Sequence, residues 1–181
     1  MDDASDKQAA AADLQRIGDL LRMSRACRVM TAAVELGVFD AVASAPDPTA
    51  DVIASRIHAD PRNTEVMLDA LVAIGLLEKT DGRYANASIA RRFMLADSPQ
   101  SLASNLRYQE HLATAWAALP QIVRTGKPVK PLIELLGHDG AFTRSYIKGM
   151  ADISQRPARE LAARRTRRES PPREPRRPGP P

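Results

Sequence analysis

The longest periodic pattern of apolar residues lies near the start of the chain. Between residues 13 and 36, apolar side chains recur at spacings of three and four, which is typical of one face of an α-helix. More apolar residues lie on the neighbouring faces, so the stripe is wider than contact with one small surface requires. Gly37 is placed to end this helix. The pattern predicts a helix buried in a core or in an oligomer. Its central stripe consists of Leu20, Met23, Cys27, Met30 and Val34.

The most readable part of the sequence follows the run APDPT. Thr49 can cap a short helix, and Asp60 followed by Pro61 is a strong signal for the start of a second helix. The run LLEKTDGRYAN then predicts two strands joined by a turn at Asp81 and Gly82. This order of helix, turn, helix and hairpin is the winged-helix arrangement.

Residues 101–119 and 141–163 carry two more helical patterns, and Pro120 and Pro157 interrupt or kink them. Both patterns contain aromatic residues or methionines, and the two stripes could face each other. Such residues at helical spacing are more often part of a core than the lining of a ligand pocket, and the sequence leaves both readings open. The residues concerned are Tyr108, Trp116, Phe142, Tyr146 and Met150.

The two ends of the chain lack this periodicity. Residues 1–12 are acidic and rich in alanine, and we expect them to be disordered. Residues 164–181 hold seven arginines, six prolines and no aliphatic side chain, so they cannot bury apolar surface and are predicted to be a disordered tail. The predicted fold is mainly α, with a winged-helix domain at 13–96 and a helical linker segment at 97–163.

Charge is distributed unevenly along the chain. The net charge is +4, but the tail alone contributes seven arginines less two glutamates, or +5, which leaves −1 for the rest. Glu65 and Asp69 lie on the helix that would read DNA, where they would repel phosphates, and the hairpin offers only Lys79 and Arg83. Nucleic-acid binding by the winged helix is therefore not expected. The tail itself is either a nonspecific nucleic-acid contact or a solvated charged end.

Several kinds of site and location are excluded by composition. The single cysteine, Cys27, cannot form an internal disulfide, and the three histidines are too far apart in sequence to suggest a metal site. No apolar run is long enough to span a membrane, and the start of the chain does not resemble a secretory signal, so we expect a cytoplasmic protein. The nine glycines are scattered and form no nucleotide-binding loop. The sequence predicts no catalytic, cofactor-binding or metal-binding residue.

Three runs occur in a familiar order: MTAAVELGVFDAV, DPRNTEVMLDALVAIGLLEKTDGRYANASIARRFM and WAALPQIVRTGKP. From about residue 13 to residue 163, the chain resembles the N-terminal part of bacterial S-adenosylmethionine-dependent O-methyltransferases of the caffeate and acetylserotonin type. The resemblance implies a winged-helix dimerisation domain, and a homodimer formed through helix 13–36 and the winged-helix region. It also implies methyl transfer from S-adenosyl-L-methionine to a hydroxyl group of a small aromatic acceptor.

The resemblance also implies positions for the acceptor pocket. In that family, the helices that match 101–119 and 141–163 help to roof the substrate. The resemblance therefore makes substrate-pocket candidates of the five aromatic and methionine residues of those helices. Met23 is a weaker candidate, because the first helix can reach the pocket of the partner subunit. The pocket candidates are Met23, Tyr108, Trp116, Phe142, Tyr146 and Met150.

The chain departs from the family after the run RELAA, where a strand and a glycine-rich cofactor loop would follow. We therefore expect a truncated O-methyltransferase that keeps the dimerisation region and part of the substrate region. Such a chain would not bind S-adenosyl-L-methionine alone and would be inactive alone. Two alternatives are a non-catalytic partner subunit of an intact methyltransferase and a winged-helix DNA-binding regulator.

Overall fold

The computed structural model describes residues 3–128, 136 and 140–169. The described chain is mainly helical and contains one two-stranded hairpin, which confirms the predicted fold class. None of its helices combines the length and the apolar character needed to cross a membrane. Most of the connection at 129–139 lies outside the described residues, as does His138.

Helix α1 spans Asp3–Glu35 and is longer than the sequence pattern predicted. The prediction of disorder over residues 1–12 is wrong from Asp3 onward. Helix α1 extends to Asp3 because residues 9–12 are four successive alanines. Alanine is the strongest helix former, and these residues lengthen a helix that is already nucleated. The predicted end is confirmed, since Gly37 follows in the left-handed conformation at φ 72°.

Three short helices follow α1, and two of them begin where their capping residues predict. The N–H of Val52 donates to Thr49 Oγ1 at 3.5 Å, and the N–H of Asn63 donates to Asp60 Oδ1 at 2.8 Å. These bonds satisfy amide groups that the first turn of a helix leaves without partners. The helices are α2 (Val38–Ser44), α3 (Ala50–Arg56) and α4 (Pro61–Ala73).

The predicted hairpin is also confirmed. Strands β1 (Leu77–Thr80) and β2 (Arg83–Asn86) pair antiparallel. Asp81 and Gly82 join them with φ angles of 50° and 75°. Positive φ at both central residues is what a tight two-residue hairpin turn requires. Helix α5 (Ser88–Phe93) follows the hairpin.

The hydrophobic core lies where α2, α3, α4 and the hairpin meet the end of α1. The amide nitrogen of buried Asn86 donates to the carbonyl oxygen of Phe39 at 2.9 Å, which ties β2 to α2. The largest fully buried side chains are Tyr84, Phe39, Ile53, Leu68, Leu71, Leu77 and Val38.

Within residues 103–128 and 140–169, three further helices follow: α6 (Ala103–Ala117), α7 (Leu119–Thr125) and α8 (Gly140–Glu169). Pro120 lies in the first turn of α7, so the predicted interruption is confirmed. Helix α8 runs through Pro157 and continues to Glu169. Helix α8 thus includes residues 164–169, the first six of the segment that was predicted to be disordered, where arginine supports a helix that is already formed. Residues 170–181 lie outside the described residues.

Candidate functional site

Helices α6 and α8 pack against each other at one glycine. A Cβ atom added to Gly149 would lie 3.1 Å from Cα of Asn105 and 3.2 Å from Cβ of Tyr108. These distances are shorter than most carbon contacts, so any other residue would require the neighbouring atoms to shift by a few tenths of an ångström. Gly149 therefore sets the separation of the two helices on which most of the predicted pocket residues lie.

Polar contacts hold the same two helices in register. Asp152 Oδ2 accepts the backbone N–H of Asn105 at 2.9 Å, in the first turn of α6. The side-chain amide of Asn105 donates to the carbonyl oxygen of Gly149 at 3.3 Å. A carboxylate of α8 thus supplies an N-terminal partner that α6 does not provide from its own sequence.

A cluster of aromatic rings lies between α6 and α8. The Tyr108 ring lies 5.7 Å from Phe142 and 5.5 Å from Tyr146, and the His111 ring lies 5.9 Å from Phe142, all between ring centroids. Tyr108 and Phe142 are 7% and 5% exposed. Burial raises the pKa of Tyr108 above its ordinary value. In this chain, these two rings are buried and pack against neighbouring aromatic rings.

A separate cleft of about 740 Å³ lies between α1 and α6. Trp116, at the end of α6, is 67% exposed and forms part of its wall. The rest of the lining combines polar and charged side chains with small apolar ones, and the cleft is open to solvent. The lining consists of Ser24, Cys27, Arg28, Thr31, Gln109, Glu110, Ala113, Trp116 and Ala117.

An ion pair joins the two walls of this cleft. Arg28 donates to Glu110 Oε2 at 2.6 Å, and the hydroxyl of Thr31 donates to the same oxygen at 2.9 Å. The hydrogen bond from Arg28 holds the pKa of Glu110 below its ordinary value, against the effect of burial, and Thr31 adds to this lowering. Nothing in the sequence pattern indicated this contact, because 82 residues separate the two charges.

The predicted pocket residues do not form one group. Tyr108, Phe142 and Tyr146 come together in the aromatic cluster, while Trp116 lies in the cleft instead. The two helical patterns could face each other, and the structure brings Tyr108 together with Phe142 and Tyr146. Met23 is 60% exposed on α1, and Met150 is half-buried on α8.

Both basic residues of the hairpin are paired with carboxylates. Lys79 Nζ lies 2.7 Å from Asp69 Oδ1 and 3.6 Å from Glu65 Oε1. Arg83 Nε lies 2.7 Å from Asp47 Oδ1. The bond from Lys79, with a second from the Tyr84 hydroxyl, lowers the pKa of Asp69. The cations that a winged helix would offer to phosphate are thus engaged within the protein.

The Glu110 contact leads to a prediction about pH. We expect Glu110→Gln to lower the free energy of unfolding at pH 7 by about 0.5–1 kcal/mol, since the pair is partly exposed to solvent. The folded-state pKa is lowered, so this stabilisation is present above the unfolded pKa of about 4.3 and is lost as pH falls through the folded value. Urea unfolding of the wild type and variant at pH 7 and pH 3 checks this.

Glu78→Gln is the matched control for this variant, because Glu78 is exposed on β1 and forms no ion pair within the described residues. Its unfolding energy should stay within experimental error of the wild type at both pH values. An equal loss for Glu110→Gln at pH 7 and pH 3 would show that its charge does not stabilise the contact.

Comparison with known proteins shows that this chain is similar to O-methyltransferases. A sequence model of the O-methyltransferase dimerisation domain matches residues 19–96. A similar curated protein is 3-hydroxy-5-methyl-1-naphthoate 3-O-methyltransferase of Streptomyces sahachiroi, 33% identical over 140 residues. The alignment covers 75% of this chain but only 40% of that enzyme. The chain thus spans less than half the length of this curated relative.

Solved structures of similar fold include methyltransferases. Human N-acetylserotonin methyltransferase, in complex with S-adenosylmethionine, superposes with a TM-score of 0.69 at 25% identity. This covers 78% of the present chain and 45% of the human one. The mitomycin 7-O-methyltransferase MmcR superposes with a TM-score of 0.74 at 24% identity, over 87% of this chain and 49% of that one, and shows the shared fold.

Proposed function

We propose, from the match of residues 19–96 to the model of the O-methyltransferase dimerisation domain, that the chain is the pairing and acceptor-roofing region of an S-adenosylmethionine-dependent O-methyltransferase. Two copies would associate through α1 and the winged-helix region. Helices α6 and α8 would cover part of the acceptor site. The acceptor would be a small aromatic molecule with a hydroxyl group, as the names of the naphthoate and acetylserotonin relatives suggest.

The observation that carries this proposal is the exposed apolar surface of α1. Leu14, Ile17 and Leu21 are 72%, 57% and 54% exposed, and their spacing of three and four places them on one helix face. Leu20 and Met23 extend this exposed surface on a neighbouring face. A long helix with large apolar side chains in water is unfavourable unless a partner covers it. The matched dimerisation domain begins at residue 19, within this surface.

The acceptor-roofing role rests on the α6–α8 unit. Tyr146 and Met150 are half-buried at its margin, and Trp116 and Met23 are exposed, so these four side chains have surface left for a further contact. Tyr108 and Phe142 would support them from the core side. Aromatic and methionine side chains suit the flat apolar face of an aromatic acceptor.

We also propose that these 181 residues do not bind S-adenosyl-L-methionine alone. The nine glycines are scattered in sequence, and no clustered-glycine loop is present for the backbone to approach a cofactor closely. Methyl transfer itself would then need groups that this chain does not supply. The winged-helix regulator is not favoured, because Lys79 and Arg83 are engaged by carboxylates of the protein.

The first experiment measures two properties of the purified chain. Analytical ultracentrifugation should give a species of twice the 19.7 kDa chain mass. Calorimetric titration of that species with S-adenosyl-L-methionine should give no binding. A monomer at micromolar concentration would contradict the pairing role. Saturable binding of S-adenosyl-L-methionine would contradict the proposal that this chain does not bind the cofactor alone.

A pair of variants then tests the surface of α1. Ile17→Asp should raise the dissociation constant of the dimer about 100-fold, because it would bury an unpaired carboxylate in an apolar contact. Gln15→Asp places the same side chain at an exposed polar position two residues away, and it should remain dimeric. Equal dimer affinity of the two variants would place the pairing surface elsewhere.

A further inference from the structure

A second, smaller cleft lies between α6 and α8, and its lining is basic. It has a volume of about 260 Å³, and its walls are formed by Ser104 and Arg107 of α6 with Arg144, Ser145 and Lys148 of α8. Three side chains are therefore cationic and two carry hydroxyl groups, and none is a carboxylate. The close approach of the helices at Gly149 fixes the two walls relative to each other.

Within the part of the chain that the structure describes, no carboxylate forms an ion pair with the cations of this cleft. Within residues 3–128, 136 and 140–169, Arg107, Arg144 and Lys148 form no ion pair. The Arg107 guanidinium makes only a long hydrogen bond of 3.5 Å, to the carbonyl oxygen of Val34. Asp152, a carboxylate on the same helix, is bound to the backbone of Asn105. This contrasts with the hairpin, where both cations have carboxylate partners.

The arrangement of these cations is unfavourable without an anion. Arg144 and Lys148 are four residues apart on one helix, a spacing at which like charges repel and destabilise the helix. Arg107 adds a third cation from the opposite wall. The tail cannot supply the missing negative charge, since its net charge is +5, from seven arginines less two glutamates.

We propose that this basic cleft is a binding site for a phosphate group, carried either by inorganic phosphate or by a small phosphomonoester. Three cations match the charge of a dianion, and two hydroxyl groups can complete a tetrahedral set of donors that fits phosphate better than the planar carboxylates of malonate. Arginine is suited to bidentate contact with phosphate oxygens. The volume admits a phosphate with a small substituent and excludes a dinucleotide. This site is independent of the proposed pairing and acceptor roles.

The test is a calorimetric titration of the full chain at constant ionic strength with inorganic phosphate and with glycerol 3-phosphate. Both should bind saturably with one site per chain, and malonate should bind at least tenfold more weakly. Similar affinities for the two probes would identify the phosphate group itself as the ligand. Tenfold tighter binding of the ester would identify a phosphomonoester as the ligand. Absence of saturation at 10 mM for both probes, or equally tight binding of malonate, would overturn the proposal.

The variant Arg144→Gln/Lys148→Gln should weaken phosphate binding by about 100-fold, because it removes two charged hydrogen-bond donors. The matched control is Arg62→Gln/Arg124→Gln, which removes the same charge from exposed positions of α4 and α7 and should bind phosphate like the wild type. An equal loss of phosphate affinity in the two double variants would show that only the net charge of the protein matters, and it would overturn the proposed site.

Thermal unfolding provides a readout that does not depend on calorimetric heat. Phosphate should raise the midpoint of the wild type by about a few degrees, by preferential binding to the folded state, and should leave the cleft variant unchanged. Without phosphate, the cleft variant should unfold no earlier than the wild type, because its substitutions remove a repulsion. An equal phosphate-induced rise in both proteins would contradict the proposed site.

Discussion

Replacing Gly149 with leucine should lower the free energy of unfolding by about 3 kcal/mol. A Cβ at this position already lies 3.1 Å from the Asn105 backbone, and a full side chain would have to push α8 away from α6. Helix propensity would favour the change by about 1 kcal/mol, which is smaller than the cost of overpacking. The aromatic cluster and the Asp152 cap would separate together. At this position, the steric cost of a side chain therefore exceeds the gain in helix propensity.

The protein offers a convenient probe for this experiment. Trp116 is the only tryptophan and lies at the end of α6, so its fluorescence during urea unfolding reports on this helix. The matched control is Gly140→Leu in the same α8, where an added Cβ meets only the flexible side chain of Arg144 at 3.4 Å. The control should change the unfolding midpoint by much less. A midpoint for Gly149→Leu equal to that of the control would mean that α6 and α8 do not depend on this contact.

The elements that the sequence predicted correctly depend on local chemistry. Asp60 and Pro61 start α4, and Asp81 with Gly82 turns the hairpin, because each signal acts within four residues of the backbone that it organises. The mainly α fold was predictable for the same reason. Apolar periodicity and turn residues occur in an order that requires no knowledge of distant contacts.

The contacts that join distant segments could not be predicted in this way. Arg28 and Glu110 are 82 residues apart, and nothing near either residue marks the other as its partner. Gly149 is an ordinary helical glycine by sequence, and only the opposing Asn105 shows why it has no side chain. Trp116 and Tyr108 belong to the same helix, but Trp116 lies in the α1–α6 cleft. Helix spacing predicts which residues share a face, but not which neighbour covers it.

The second prediction with a large effect concerns the anchor of the hairpin. Tyr84→Ala should lower the free energy of unfolding by about 3–5 kcal/mol, since the side chain is fully buried and its loss leaves a large cavity. The Tyr84 hydroxyl also donates to Asp69 Oδ1 at 2.8 Å, and Lys79 Nζ lies 4.9 Å from the ring centroid. One side chain thus links the hairpin to the core and to a carboxylate of α4. Urea unfolding at pH 7 measures the loss.

The variant Tyr84→Phe separates the ring from its hydroxyl. It keeps the buried ring and removes only the hydrogen bond to Asp69, so we expect a loss of about 1 kcal/mol. Asp69 keeps its partner Lys79, which is the larger cause of its lowered pKa, so the Phe variant should retain most of the acid sensitivity that this carboxylate confers. Equal losses for Phe and Ala would mean that the hydrogen bond, and not burial of the ring, anchors the hairpin. The expected threefold difference would instead assign the anchoring to the apolar core, which explains why a short two-stranded hairpin is stable here.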